Sequence, residues 1–200
     1  MKLGEVIVFT PVGDAKAGAG GNTHLFQADR GSRKGQYLRV WTGGSKEARP
    51  PADAKSSEYH LVSPSTAGAL PDIDVLGNHY IKVRPDRREA FEKFVAGTLH
   101  PAVGNLRPDL RLLYYKAVSG PEAGNYLTIM ALTRESRDKY WPGGSDSDEL
   151  RSTFKPVQAH TKELLTYLVE GSALTDPKFA AAVYESRDWS DFVLVSAQPK

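Results

Sequence analysis

The stretch His24-Leu25-Phe26-Gln27-Ala28-Asp29-Arg30-Gly31 leads through Ser32-Arg33-Lys34 to Gly35-Gln36-Tyr37-Leu38-Arg39-Val40-Trp41, and a similar stretch follows at 113–130. Both have a strand-like run, a short segment that holds two glycines, and a second strand-like run, which is typical of a β-hairpin. The similarity predicts two copies of one small fold in a single chain. Five residues are identical at a shift of 89 positions: Ala28/Ala117, Gly31/Gly120, Gly35/Gly124, Tyr37/Tyr126 and Leu38/Leu127.

Composition limits the classes of protein that the chain can belong to. Its 200 residues are 40% apolar and carry a net charge of +2, which gives no excess of positive charge for nucleic acid or an anionic membrane. The absence of cysteine excludes disulfides, thiolate nucleophiles and cysteine-ligated metals. No apolar stretch approaches the ~20 residues of a membrane helix, and Glu5 and Pro11 interrupt any signal-peptide pattern. We expect a soluble protein, cytoplasmic rather than exported, although the residues leave the compartment open.

The second half of the chain has the pattern of a complete ferredoxin-like unit, β-α-β-β-α-β. Pro101 is expected to end the first helix, and Pro156 marks either a kink in the last helix or the start of a new one. A further short helix is predicted at 180–184. The main elements are predicted as a strand at 79–84, a helix from Asp86 to Leu99, strands at 110–118 and 125–132, a short helix at 135–140, a long helix that ends near Glu170, and a closing strand at 191–195.

The first half fits the same order with losses. Pro11 to Ala28 spans 17 positions, whereas Pro85 to Ala117 spans 32, and the missing 15 are about the size of the main helix. We therefore predict an α+β fold in which the antiparallel sheets of two ferredoxin-like repeats pack into one barrel. The predicted boundaries are a degenerate repeat at 1–63, a linker at 64–76 and a complete repeat with the pocket at 77–200. Strands are predicted at 5–10, 23–30, 36–42 and 59–62, with Pro11 ending the first of them.

Several segments resemble one known superfamily. Tyr80-Ile81-Lys82-Val83-Arg84-Pro85-Asp86, followed by Ala90-Phe91-Glu92-Lys93-Phe94, is similar to the opening of dimeric α+β barrel proteins such as the antibiotic-biosynthesis-type monooxygenases. Ser136-Arg137-Asp138-Lys139-Tyr140-Trp141 and Leu150-Arg151-Ser152-Thr153-Phe154-Lys155-Pro156 resemble later parts of the same fold. The resemblance covers 77–197, and 4–62 faintly. It implies a fused tandem repeat with a degenerate first copy, and a ligand between the sheet and the helices of one unit.

His160 is the first catalytic candidate. It follows Val157 by three residues and precedes Leu164 by four, which places it at the flank of the apolar stripe of the predicted helix. An imidazole there could act as a general base near neutral pH or bind haem iron. Haem-degrading members of the superfamily carry a helix histidine after a phenylalanine, and Phe154 precedes Ala159-His160 here. A satisfied, partly buried histidine is the alternative interpretation.

Aromatic side chains supply the other candidates. Tyr115 and Tyr126 are predicted to be catalytic, because a strand-borne hydroxyl could polarise a substrate carbonyl or phenol. Packing in the core is the structural alternative for both. Trp189 could help to form a wall for a planar ligand. The residues predicted to bind substrate are His79, Tyr114, Trp141 and Phe154.

Three functions remain open at this point. The first is a small-molecule enzyme without an organic cofactor, of the oxygenase, isomerase or cyclase type, acting on a hydrophobic, aromatic or polyketide-like compound. The second is a haem-binding or haem-degrading protein with His160 as the iron ligand. The third is a non-catalytic ligand-binding or structural barrel. No metal site is predicted, because the histidines lack the His-x-His or His-x-x-x-His spacing of a metal centre. A homodimer beyond the intrachain barrel stays open.

Overall fold

The computed structural model describes residues 1, 3–15, 21–43, 53–62, 72–103, 109–174, 185–186 and 188–195. Eight strands in these residues close into one antiparallel barrel, and two short strands, β8 (Ala173–Leu174) and β9 (Glu185–Ser186), form a separate ribbon. The barrel strands are β1 (Val6–Val12), β2 (Thr23–Gly31), β3 (Tyr37–Gly43), β4 (Ser57–Leu61), β5 (Val75–Ile81), β6 (Leu110–Ser119), β7 (Tyr126–Leu132) and β10 (Asp188–Leu194).

Strand order around the barrel reveals two equivalent sheets. The order β1-β3-β2-β10-β5-β7-β6-β4 divides into β4-β1-β3-β2 and β10-β5-β7-β6, each of which is the ferredoxin-like order. Two seams join the sheets, β2 with β10 and β4 with β6, so the second strand of each repeat pairs with the fourth strand of the other. This reciprocal pairing is that of a twofold dimer contained in one chain. The predicted α+β barrel of two ferredoxin-like repeats is confirmed.

The repeated hairpin has the same backbone hydrogen bonds in both copies. The Gly35 N–H donates to the Ala28 carbonyl at 2.7 Å, and the Gly124 N–H donates to the Ala117 carbonyl at 2.8 Å. The turn also needs a left-handed backbone, which glycine adopts without steric cost. The identical glycines are therefore a requirement of the turn. Their φ angles are 86° at Gly31, 87° at Gly35, 82° at Gly120 and 83° at Gly124.

The two hairpin turns meet at one mouth of the barrel. Arg33 and Glu122 occupy equivalent positions, 89 residues apart, and Arg33 Nη2 lies 3.8 Å from Glu122 Oε1. Arg33 also donates to Asp188 at 2.7 Å and stacks its guanidinium 3.7 Å from the centre of the Tyr80 ring. An opposite-charge pair therefore links equivalent turns of the two repeats.

The helices of the described residues belong to the second repeat, where they cover the outer face of its sheet. The described part of the first repeat holds no α-helix, which agrees with the predicted loss of its main helix. No helix in the described residues is long and apolar enough to cross a membrane. The segment at 180–184 lies outside the described residues. The helices are α1 (Arg88–Phe94), α2 (His100–Val103), α3 (Arg134–Tyr140), α4 (Asp148–Gln158) and α5 (Thr161–Tyr167), with a π-helical turn at Val95–Leu99 and 3₁₀ turns at Pro85–Arg87 and Pro142–Gly144.

Pro11, Pro101 and Pro156 each lie inside a strand or a helix and do not end it. The sequence predicts that Pro11 and Pro101 end their elements, and this prediction is wrong for both. β1 continues through Pro11 because β4 pairs with β1 only as far as Phe9, so a missing N–H is tolerated at this edge. Pro101 lies inside α2, because the wider π-helical turn before it accommodates the proline ring. Pro156 lies within α4, which ends two residues later at Gln158. The last helix is therefore broken after Pro156 and not at it.

The first strand of the second repeat is shifted relative to the prediction. β5 begins at Val75 and ends at Ile81, whereas the sequence predicts a strand at 79–84. The residues from Val75 to Asn78 are strand because they pair with β7 on one side and β10 on the other. Their glycine and asparagine weaken the local strand signal, and pairing on both edges overrides it.

Candidate functional site

A cavity of about 150 Å³ lies between the second sheet and the turn that follows α3. Side-chain alternation along β5 forms its floor: Leu76 and Tyr80 pack inside the barrel, whereas Val75, Gly77 and His79 face the helical layer. The cavity thus occupies the place that the resemblance implies for a ligand. Its other walls include Arg30, Met130, Arg137, Trp141, Trp189 and Asp191.

His79 brings an unused hydrogen-bonding atom to the cavity. Its ring stacks on Trp189, with centroids 6.5 Å apart and planes inclined by 21°. Its Nδ1 is buried and has no hydrogen-bond partner among the described residues. Burial lowers the pKa of His79 to about 4, so the imidazole is neutral at pH 7. A neutral imidazole can accept a hydrogen bond from a ligand at one ring nitrogen.

Asp191 brings a titratable carboxyl group to the cavity. It lies opposite Gly77 in the β5–β10 pair, on the same face of the sheet as His79. Burial raises the pKa of the Asp191 carboxyl to about 6, although Arg137 and Arg30 act in the opposite direction. A carboxylate that titrates this close to neutrality can take up and return a proton at physiological pH.

Both arginines of the cavity already face carboxylates. Arg137 is only 8% exposed, and it donates from Nη1 to Asp29 at 2.6 Å and from Nε to Asp138 at 3.1 Å. Arg30 places Nη1 4.0 Å from Asp191 Oδ2. The positive charges are therefore balanced within the protein, and the cavity offers a ligand hydrogen-bond acceptors more than free cations.

The equivalent place in the first repeat is filled by side chains. β1 pairs Val8 with Trp41, and β5 pairs Gly77 with Met130 at the equivalent register. Val8 and Trp41 join Val6 in a small buried cluster. The second repeat therefore has room for a ligand because glycine and methionine replace valine and tryptophan.

Two of the predicted site residues, His79 and Trp141, line the cavity. None of the three tyrosines is among the residues that line the cavity. Tyr114 is buried under the helices. Tyr115 donates to the Gly4 carbonyl at 2.8 Å, and Tyr126 donates to Glu92 Oε1 at 2.6 Å. Burial raises the pKa of each tyrosine, assisted at Tyr126 by Glu92. Their hydroxyls therefore stay protonated at neutral pH.

His160 and Phe154 also lie away from the cavity lining. Phe154 is 1% exposed and belongs to the core between the second sheet and its helices. His160 lies where α4 and α5 meet, with its ring centroid 6.4 Å from that of Phe94. The helical spacing that placed His160 at the stripe assumes one continuous helix, and the break between Gln158 and Thr161 removes that basis.

Sequence reasoning missed Asp191 and Arg137. One signal for Asp191 was available: it alternates with the apolar residues Trp189 and Val193 on one face of the closing strand. A carboxylate at that position of the strand faces the helical layer. An ionisable group placed there indicates a candidate functional site. Arg137 gave no such signal, because its partner Asp29 lies 108 residues earlier.

Comparison with known proteins supports the fold. No family model matches the chain, and no curated protein matches it in sequence. An uncharacterized ferredoxin-fold protein from Listeria monocytogenes, related to antibiotic biosynthesis monooxygenases, has a TM-score of 0.50 at 14% identity over 97% of this chain and 96% of that one. A major regulator of staphylococcal pathogenesis has a TM-score of 0.50 at 11% identity, over 96% and 99%. The class is thus a tandem ferredoxin-like α+β barrel, as the sequence resemblance predicted.

Proposed function

We propose that the chain is a small-molecule enzyme that abstracts a proton from a hydrophobic aromatic compound and needs no organic cofactor. The observation that carries the proposal is that Asp191 and His79, whose Nδ1 has no hydrogen-bond partner among the described residues, line the same cavity with aromatic walls. The Asp191 carboxylate and one ring nitrogen of the neutral His79 can accept hydrogen bonds, which favours a ligand that donates them. A phenol, or the enol form of a carbonyl compound, has the required hydroxyl.

The chemistry follows from the ionisation of these groups. With a pKa of about 6, the Asp191 carboxyl is ionised at pH 7 and is a stronger base than an ordinary aspartate. It would take the proton from the ligand hydroxyl or from an adjacent carbon acid, while His79 would orient the ring. The anion left behind is the common starting point of cofactor-free oxygenation, isomerisation and cyclisation. Arg30 Nη1 lies 4.0 Å from Oδ2 of the carboxylate that would receive the proton.

The volume of the cavity limits the bound group. A cavity of about 150 Å³ in another protein holds one benzene ring, and the cavity here has the same volume. Trp141 and Trp189 offer flat apolar walls for such a ring. A polyketide-like compound would therefore insert one hydroxylated ring and leave the remainder at the opening.

Haem, the alternative cofactor, has less support from the described residues. A cavity of about 150 Å³ would enclose only part of a four-pyrrole macrocycle. His160, the predicted ligand, lies against Phe94 and outside the cavity lining. Among the described residues, no group of three histidine and carboxylate side chains is placed to share a metal ion.

A panel of hydroxylated aromatics, from phenol to tricyclic compounds, tests the proposal. Binding is followed by tryptophan fluorescence, and turnover by oxygen consumption and product chromatography. We expect His79→Phe, which keeps a ring against Trp189 but lacks nitrogen, to weaken binding or turnover at least about tenfold. His160→Phe is the comparison. A loss confined to His160→Phe would return the site to the junction of α4 and α5.

Gly77→Val is expected to close the cavity. A Cβ at position 77 would lie 3.3 Å from Met130 Cβ and 3.4 Å from Asp191 Oδ1, so the two methyl groups of valine would extend into the ligand space. We expect affinity for the best compound of the panel to fall more than about tenfold. The free energy of unfolding, measured in urea, should change by only about 1–2 kcal/mol. Gly77→Ala, which adds only the Cβ, is the matched control. Equal affinity for the valine variant and the wild type would place the ligand elsewhere.

A further inference from the structure

A β-bulge in the first repeat brings two charged residues to the cavity of the second. In the β2–β10 pair, Phe192 lies opposite Ala28 and Asp191 lies opposite Arg30, so Asp29 is an extra residue in β2. Consecutive residues of a regular strand point to opposite faces, whereas a bulge can turn two neighbours toward the same side. Asp29 and Arg30 both reach groups of the cavity, Arg137 at 2.6 Å and Asp191 at 4.0 Å.

The seam between β4 and β6 has the equivalent bulge, but no acidic residue at the extra position. In the β4–β6 pair, Tyr59 lies opposite Ala117 and Glu58 lies opposite Ser119, so Val118 is the extra residue. Val118 is equivalent to Asp29 by the shift of 89 positions, and it is 45% exposed. The bulge is therefore a property of the repeated fold, and the acidic side chain is a property of the seam beside the cavity.

The charges around Asp191 come from both repeats. Asp29 pairs with Arg137 and opposes its effect, because Arg137 stabilises the ionised form of Asp191 and Asp29 destabilises it. Arg30 acts directly on Asp191 from the adjacent position of the bulge. The charged and titratable groups at the site are Asp29 and Arg30 from β2, His79 from β5, Arg137 and Asp138 from α3, and Asp146 from the turn before α4.

We infer that Asp29 and Arg30 are positioning residues of the site, so that the degenerate first repeat supplies charges that adjust the protonation of Asp191 in the second. The inference rests on the proposed function, which gives Asp191 its role as the base. Asp29 acts through Arg137: it holds this guanidinium at the edge of the cavity and offsets its charge. The first repeat is then more than a sheet that closes the barrel.

Carboxyl NMR titration of the full-length, unliganded chain tests this inference without a substrate. The Asp191 resonance is identified by its loss in Asp191→Asn. In Asp29→Asn, Asp191 loses a nearby negative charge and Arg137 keeps only Asp138 of its two carboxylate partners, and both changes lower the Asp191 pKa. We expect the titration midpoint to fall by about 0.5, and Asp29→Glu to restore it. The acid limb of the kcat/KM profile should move in the same direction.

Val118→Asn is the positional control, because it places the same asparagine side chain at the equivalent bulge of the other seam. It should leave the Asp191 midpoint unchanged. An unchanged midpoint in Asp29→Asn, with folding confirmed by thermal unfolding, would overturn the inference, as would an equal shift in Val118→Asn. If the midpoint moves as expected while Asp191→Asn retains full turnover, the proposed function fails and the role of the bulge stands.

Discussion

Replacing Asp191 with asparagine is expected to stabilise the protein at pH 8 and to abolish its proposed chemistry. Burial raises the pKa of Asp191 from an ordinary value of 3.8 to about 6, so the folded state binds this proton more tightly than the unfolded state does. The stability that Asp191 contributes is therefore greatest below pH 4, declines between pH 4 and 6, and stays low above that range. Asparagine removes this loss, which amounts to roughly 2–3 kcal/mol at pH 8.

Urea unfolding of the wild type and Asp191→Asn at pH 3.5, 6 and 8 measures the effect. The two proteins should converge at the lowest pH, while turnover in the variant falls about 10²-fold or more at every pH. Asp188→Asn is the control with the opposite sign: despite burial, hydrogen bonds from Arg33 and Ser32 hold the pKa of Asp188 below its ordinary value. That variant should lose stability above pH 4. A comparable loss of stability in Asp191→Asn above pH 4 would contradict the inference that burial disfavours the ionised form of Asp191.

Alanine at Gly120 is expected to destabilise the barrel by about 3 kcal/mol or more. The residue has a φ of 82°, and an added Cβ would lie 2.0 Å from the Ser56 carbonyl oxygen and 2.8 Å from its carbon. Because these are backbone atoms next to β4, relief requires displacement of the seam between β4 and β6. Gly31 meets the Trp189 backbone in the same way at the other seam, with 2.2 Å to the oxygen.

Gly35→Ala separates the two contributions to this effect. Gly35 has a φ of 87°, but nothing among the described residues lies within 4 Å of an added Cβ. Alanine at this position therefore costs only the free energy of a left-handed backbone, about 1 kcal/mol. Urea unfolding should therefore rank the wild type above Gly35→Ala, and Gly35→Ala well above Gly120→Ala. Equal losses at the two positions would show that the seam yields without cost and that only the turn conformation matters.

The fold was predictable because its determinants are local. Glycines at positive φ leave a visible spacing in the sequence. The short connection between the first two strands predicts the loss of the main helix, and the described residues of the first repeat hold no α-helix. Element ends were less predictable: Pro11 continues β1 because its neighbour strand has already ended, and tertiary pairing extends β5 back to Val75. Neither fact can be read from the residues themselves.

The site was predictable only in part, for a different reason. His79 and Trp141 could be identified because each is a distinctive side chain next to a recognisable element. Asp191 acquires its environment from β2, β5 and α3, which lie far apart in the sequence. His160 looked better placed than it is, because a helical period extrapolated across Pro156 assumes a continuity that the chain lacks.

The ion pair between Arg33 and Glu122 bears on how the two halves recognise each other. In a barrel made of two identical chains, the residue at this turn would face its own copy, and a pair of like charges would meet near the axis. Joining the copies in one polypeptide lets the two turns diverge to opposite charges, as they have here. Covalent fusion thus permits a division of labour, in which the cavity and the α-helices of the described residues belong to one copy.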